Sequence, residues 1–229
     1  MNNKTRLVRI ILFVVFVLPL LVFGFLYLGT EQVFDSVPYE YHLVEGGDTV
    51  FHGISTFEFQ EPDGTPITPE DLKGHITILS FFSTQDVDKV TTVLFGNLKR
   101  VYDNIEWELD PPYRFVSVNM GDSLAEVAAF SQDLEVDKEN WKIVTGSQED
   151  IYRLATQGLV IPDFIRHTPG SEPFTAQTIA LLDKEGKVRR YFVGTDLGEE
   201  RKLQEDLIAM LRLEYPEEAE RMRLNRSEQ

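Results

Sequence analysis

Cysteine is absent from all 229 residues. Disulfides, Cys-ligated zinc or iron–sulfur centres, thiol redox chemistry, S-lipidation and a cysteine nucleophile are therefore closed to this chain. Histidine is scarce as well. His42 and His52 lie ten residues apart, His75 stands at the entrance to an apolar run and His167 sits beside Arg166, so no pair has metal-ligand spacing. Positive charge is in the minority: 22 basic against 38 acidic residues leave a net −16, which argues against nucleic acid as a partner. Repeats and low-complexity stretches are missing too. What remains, 42% apolar residues with 16 Phe, is ample for a folded core.

The charge is unevenly spread. Lys4, Arg6 and Arg9 precede an uncharged run from Ile10 to Leu28, about 28 Å long as a helix and close to the thickness of a bilayer core. Leu26-Tyr27-Leu28 runs directly into Gly29-Thr30-Glu31 without an A-x-A-like cleavage site, so residues 10–28 are expected to be a transmembrane anchor rather than a cleaved signal. The basic residues before the span keep residues 1–9 cytoplasmic and send the remainder out. Residues 31–229 carry every acidic side chain, so the exported part is tethered to the membrane rather than drawn to anionic headgroups.

Residues 29–55, with Pro38 and four glycines at 29, 46, 47 and 53, read as a tether with at most short strands. Phe57–Phe59 and Thr65–Thr68 around Pro62-Asp63-Gly64 predict a hairpin. The β-branched and aromatic run Ile76–Phe82 predicts a strand buried on both faces. From Asp86, apolar residues recur at three- and four-residue steps to about Tyr102, a helix with Asp86 and Asp88 in its first turn. Strands at Arg114–Asn119 and Trp141–Val144 follow. Helices open at Ser123-Leu-Ala-Glu126, which has capping-box spacing, and at Ser147, the latter closing at Gly158. Thr178–Leu182 and Val188–Val193 flank a turn, and Glu199–Leu213 is a final helix before a charged tail, 215–229. This order predicts an α/β, thioredoxin-like fold over residues 56–214: a central mixed sheet flanked by helices, an N-terminal hairpin, an insertion after the second strand and one N-terminal transmembrane helix.

Four pieces carry a resemblance: Asp48-Thr-Val-Phe-His-Gly-Ile; Phe81-Phe82-Ser83-Thr84; Trp141-Lys-Ile-Val-Thr-Gly-Ser-Gln-Glu-Asp-Ile-Tyr-Arg-Leu-Ala; and Leu182-Asp183-Lys-Glu-Gly-Lys-Val-Arg with Gly194-Thr195-Asp196. In this order and spacing, over roughly residues 45–213, the chain resembles the Sco/SenC family. The resemblance implies a thioredoxin-like domain on the periplasmic side of a bacterial inner membrane, held by a single pass. It also implies work with copper for the binuclear site of cytochrome oxidase. Family members bind copper through a Cys-x-x-x-Cys pair after the first core strand and a His before the terminal hairpin, soft thiolates plus imidazole suiting Cu(I). Aligning Phe82-Ser83-Thr84 puts Gln85 and Lys89 at the cysteine positions; a register one residue earlier puts Thr84 and Asp88 there. Counting back from Asp183 puts Thr175 at the His position. All three ligands are replaced, and the Lys89 ammonium would repel a cation.

The resulting expectation is a Sco/SenC-like domain with no metal or other cofactor. It would act by protein–protein contact with a respiratory oxidase or its assembly proteins. Two other readings stay open. His167 and Met120 form a displaced His/Met copper site in the first. In the second, a cysteine-independent enzyme uses the Ser83–Asp88 loop, where Ser83 and Thr84 otherwise read as helix N-caps.

Overall fold

The computed structural model describes residues 13, 17–18, 37–43, 48–86, 90–105, 111–134, 139–166 and 176–220. The expected anchor (10–28) lies almost entirely outside them, as do Lys89, Asp88, His167 and Thr175. Among the described residues no helix is long and apolar enough to cross a membrane. The chain divides into two compact units, Met1–Asp35 and Ser36–Gln229, and the second holds every element named below.

A two-stranded antiparallel sheet comes first, β1 (Tyr41–Leu43) with β2 (Thr49–Phe51). A short hairpin of β3 (Phe59–Gln60) and β4 (Pro66–Ile67) follows, then one turn of helix, α1 (Pro69–Leu72). The central unit is β5 (Ile76–Phe82), α2 (Thr92–Asn104), β6 (Tyr113–Asn119), α3 (Leu124–Asp133) and β7 (Trp141–Gly146). α4 (Gln148–Arg153) continues through a wide turn, Leu154–Gly158, into α5 (Pro162–Arg166). The chain closes with β8 (Thr178–Leu182), β9 (Val188–Val193) and α6 (Leu197–Glu214).

The seven-stranded sheet has the order β4-β3-β7-β6-β5-β8-β9. β5, β6 and β7 run parallel, and β8 returns antiparallel on the other side of β5. The four strands β6-β5-β8-β9, with their two crossover helices and the closing helix α6, make a thioredoxin-like frame. β7 and α4 are the insertion, added beside β6.

β5 is buried along its whole length, and its side chains alternate between two cores. Ile76, Ile78 and Phe82 join Leu94 and Leu98 of α2, Val127 of α3 and Leu203 and Leu207 of α6. Leu79 and Phe81 join Leu72, Ile151, Leu154 and Phe164 on the opposite face. One polar pair interrupts the first layer. Ser80 and Ser117 face each other across β5 and β6, Oγ to Oγ 3.0 Å, and Trp141 Nε1 donates to Ser117 Oγ at 3.1 Å. The buried hydroxyls thus have partners, as burial demands.

The element order matches the expectation with three corrections. Thr84–Asp86 form a separate 3-10 turn, so Asp86 is not in the first turn of the long helix; the chain is helical again at Val90 and Thr91, ahead of α2. α1 and α5 were not foreseen, being too short to show a helical period. The capping box at Ser123 is present: the Ser123 hydroxyl accepts from Glu126 N–H, and Glu126 Oε2 accepts from Ser123 N–H at 3.0 Å.

Residues 37–43 and 48–55 are docked rather than free. Gly53 bridges Lys187, Val188 N–H donates to His52 O, and Ile54 N–H donates to Gly186 O. Arg189, 5% exposed, donates through Nε (2.8 Å) and Nη2 to Val37 O, lies 3.4 Å from Glu214 Oε1 and sits over the Tyr39 ring. Burial lifts the Glu214 carboxyl above the ordinary range, against hydrogen bonding from Lys184 N–H and the charge of Arg189. The folded state therefore holds the Glu214 proton more tightly than the unfolded chain does. Its contribution is fully present below the unfolded pKa and is lost as pH rises through the higher folded one. Urea melts from acid to neutral pH should show Glu214→Gln without this decline. Arg189→Ala should cost about 3 kcal/mol, since it leaves buried acidic groups without their cation.

Candidate functional site

The candidate site is built where β5 and β6 end. β5 delivers Ser83 as its next residue, and β6 delivers Asn119. Met120 N–H donates to Phe82 O at 2.8 Å, which keeps the two strand ends in register. The backbone then turns at Gly121, whose φ of +112° suits glycine, and presents Asp122 to the neighbouring loop.

Asp122 organises that loop. Its Oδ2 accepts from Thr84 N–H at 2.5 Å and from Asn119 Nδ2 at 2.6 Å, and Ser83 Oγ donates to Oδ1 at 3.3 Å. Asn119 Oδ1 in turn accepts from Gly121 and Asp122 N–H at 3.1 and 2.7 Å. Ser83, 6% exposed, also accepts from Gln85 N–H at 3.1 Å, so it caps the 3-10 turn. Thr91 Oγ1 donates to Ser83 O at 2.9 Å. These bonds hold residues 83–85 as a turn against the end of β6, and Thr91, itself in helical conformation, spends its hydroxyl on Ser83.

The expectations about individual residues resolve unevenly. Gln85, at one family cysteine position, is exposed at the tip of this turn. Thr84, its alternative, is half-buried, and its hydroxyl has no partner among the described residues. The other family positions, Lys89, Asp88 and Thr175, are outside the described residues, as is His167. Met120 follows β6 as expected, and its side chain packs against the core layer that contains Phe81 and Val118. Ser83 and Thr84 do not cap the long helix; Ser83 caps the short turn only. Asp86 lies in that turn, not in the first turn of α2.

Asp122 is the site residue that sequence reasoning missed. Asn119-Met-Gly-Asp was a readable turn, but nothing in it says that the carboxylate reaches back across β6 to a loop 38 residues earlier. Chemically the network is a carboxylate saturated with donors and a shielded serine hydroxyl, which orders a loop and leaves Gln85 presented. Among the described residues no three His, Asp or Glu side chains converge as a metal site. A cleft of about 740 Å³, lined by Ser55, Glu58, Glu70, Lys73 and Arg153, lies beside Gly186 at the other end of the sheet.

The fold defines the class as a thioredoxin-like domain. Among solved structures the chain is similar to Sco proteins. It shares 24% identity with a SCO1/SenC family lipoprotein from Bacillus anthracis, over 70% of this chain and 96% of that one, with a TM-score of 0.59. BsSco, a Sco-family cytochrome c oxidase assembly protein with a disulfide switch, is 20% identical over 70% and 94%, with a TM-score of 0.53. Copper-bound ScoI of Arabidopsis thaliana is 17% identical over 70% and 98%, with a TM-score of 0.55. No family model and no curated protein sequence matches the chain.

If Asp122 holds the loop, Asp122→Ala frees the Thr84 amide and leaves Asn119 Nδ2 without its acceptor. The expected cost is about 2 kcal/mol. Hydrogen exchange should show lost protection at Thr84 with β5 still protected. Unchanged protection at Thr84 would refute the role.

Proposed function

We propose that this protein is a membrane-anchored, Sco/SenC-like assembly factor that works by protein–protein contact and carries no copper at the family site. Its setting is cytochrome oxidase assembly or the copper supply to it, on the periplasmic side of a bacterial inner membrane. The observation that carries this reading is the loop after β5. The Sco/SenC resemblance implies a cysteine pair in the loop after this strand, yet the chain has no cysteine and Gln85 is exposed in that loop. A carboxylate network holds residues 83 and 84 of that loop.

The neighbours supply the context: one is a cytochrome c oxidase assembly protein and another holds copper. The oxidase setting for this chain is our extension from them. The displaced copper site draws less support, since Met120 is engaged in core packing. The enzyme reading draws less as well, because Ser83 is shielded and its hydroxyl faces a carboxylate already bonded to other donors.

Affinity capture of the full chain from detergent-solubilised membranes should recover oxidase subunits or a cysteine-bearing relative; recovery of neither overturns the assembly role. Titration with Cu(I) against a competing chelator should show no stoichiometric site tighter than micromolar. If such a site does appear and His167→Ala abolishes it, the displaced His/Met reading replaces this one. The triple variant Q85C/K89C/T175H should gain a Cu(I) site, because the frame for one is expected to survive.

A further inference from the structure

The β1–β2 hairpin carries three aromatic rings on one face. Tyr41 and Phe51 are direct cross-strand neighbours, and Tyr39 precedes Tyr41 by two residues, which returns it to the same side. Ring centroids lie 5.4 Å apart for Tyr39–Phe51 and 6.2 Å for Tyr41–Phe51. The rings are nevertheless 40%, 54% and 46% exposed for Tyr39, Tyr41 and Phe51. Cations steady them: Arg189 lies 4.1 Å from the Tyr39 ring centre, and Lys187 Nζ lies 5.6 Å from that of Phe51. An isolated two-stranded hairpin is marginal in water, and this one keeps its apolar side open.

Chain position and chemistry point to what covers it. Only residues 29–36 separate the uncharged run Ile10–Leu28 from the docked segment that begins at Val37, a reach of at most about 28 Å when fully extended. With the run in a bilayer, so short a tether gives the hairpin a high effective concentration at the membrane surface, and a weak affinity suffices. Tyr41 and Phe51 beside a long-stemmed lysine are suited to the headgroup boundary, where rings enter the apolar edge and the Tyr41 hydroxyl and the ammonium stay wet, while the Tyr39 hydroxyl is held by Asp183. The net acidity of the domain makes the attraction one of ring burial rather than of charge.

Resting on the anchor reading of residues 10–28, we infer that the Tyr39/Tyr41/Phe51 face is a membrane-interfacial seat for the domain. The hairpin joins the sheet at the β8–β9 turn, through Gly53 with Lys187 and Ile54 with Gly186. That turn lies beside Gly74, just before β5, whereas Ser83 and Asp122 follow the far ends of β5 and β6. β5 is about 20 Å long at the usual rise per residue. Seating the hairpin on the bilayer therefore lifts the Gln85 loop away from it, toward a partner's exposed domain.

A chain without cysteine accepts a single spin label cleanly. The full chain is reconstituted in nanodiscs of phosphatidylethanolamine and phosphatidylglycerol, labelled singly at V17C, T49C or A125C. Thr49 shares a hairpin face with Phe51, and Ala125 lies beyond Asp122 on α3. The expected result is high oxygen and low nickel-complex accessibility at position 17, the same direction at position 49, and the reverse at 125. Adding Y41S and F51S to T49C should abolish the contrast while the far-ultraviolet spectrum stays unchanged. A label at 49 as water-accessible as that at 125, with 17 in lipid, overturns the seat alone. Water access at 17 overturns the anchor reading itself. A label at 49 shielded from both reagents means that protein covers the face, and this also overturns the proposal.

Discussion

Everything in the domain depends on β5 being buried on both faces and paired on both sides. β6 pairs with it in parallel along its whole length, and β8 antiparallel over Thr77–Leu79. Its side chains supply the middle of two separate cores. A strand fixed on four sides has little freedom at its end, and the residues that follow it emerge at a defined point. Ser83 and Thr84 begin the candidate loop there.

The loop is unusual for what replaces the expected chemistry. Thiolates that await a soft metal need an open, adaptable loop. Here the N–H groups of Thr84 and Gln85 are already bonded, by Asp122 and by Ser83. Donors from Ser83, Thr84 and Asn119 meet on the one carboxylate of Asp122, just after β6. On the function proposed above, a surface held in one shape loses less entropy when a partner docks.

Much of the architecture was legible. The β-branched and aromatic run Ile76–Phe82, the capping box at Ser123 and the pair Thr178–Leu182 and Val188–Val193 are local signals, and the structure follows each of them. Local signals failed where long-range contacts compete. The period from Val87 to Val101 suggested a helix from Asp86, yet the hydrogen bonds of Ser83, Asp122 and Thr91 hold residues 83–85 in a turn. The docking of the segment that starts at Val37 was invisible as well, since it rests on Arg189 reaching Val37 O across 152 positions.

The sequence by itself determined what this protein lacks and how its main strands and helices succeed one another. Composition is independent of conformation, and periodicity reflects which side of an element faces water. Only the tertiary structure decided that Asp122 belongs to the loop of Ser83 and that Tyr39, Tyr41 and Phe51 share one open face. It also decided that this face and the loop stand at opposite ends of one buried strand. Those relations are made by residues distant in the chain, and only packing brings them together.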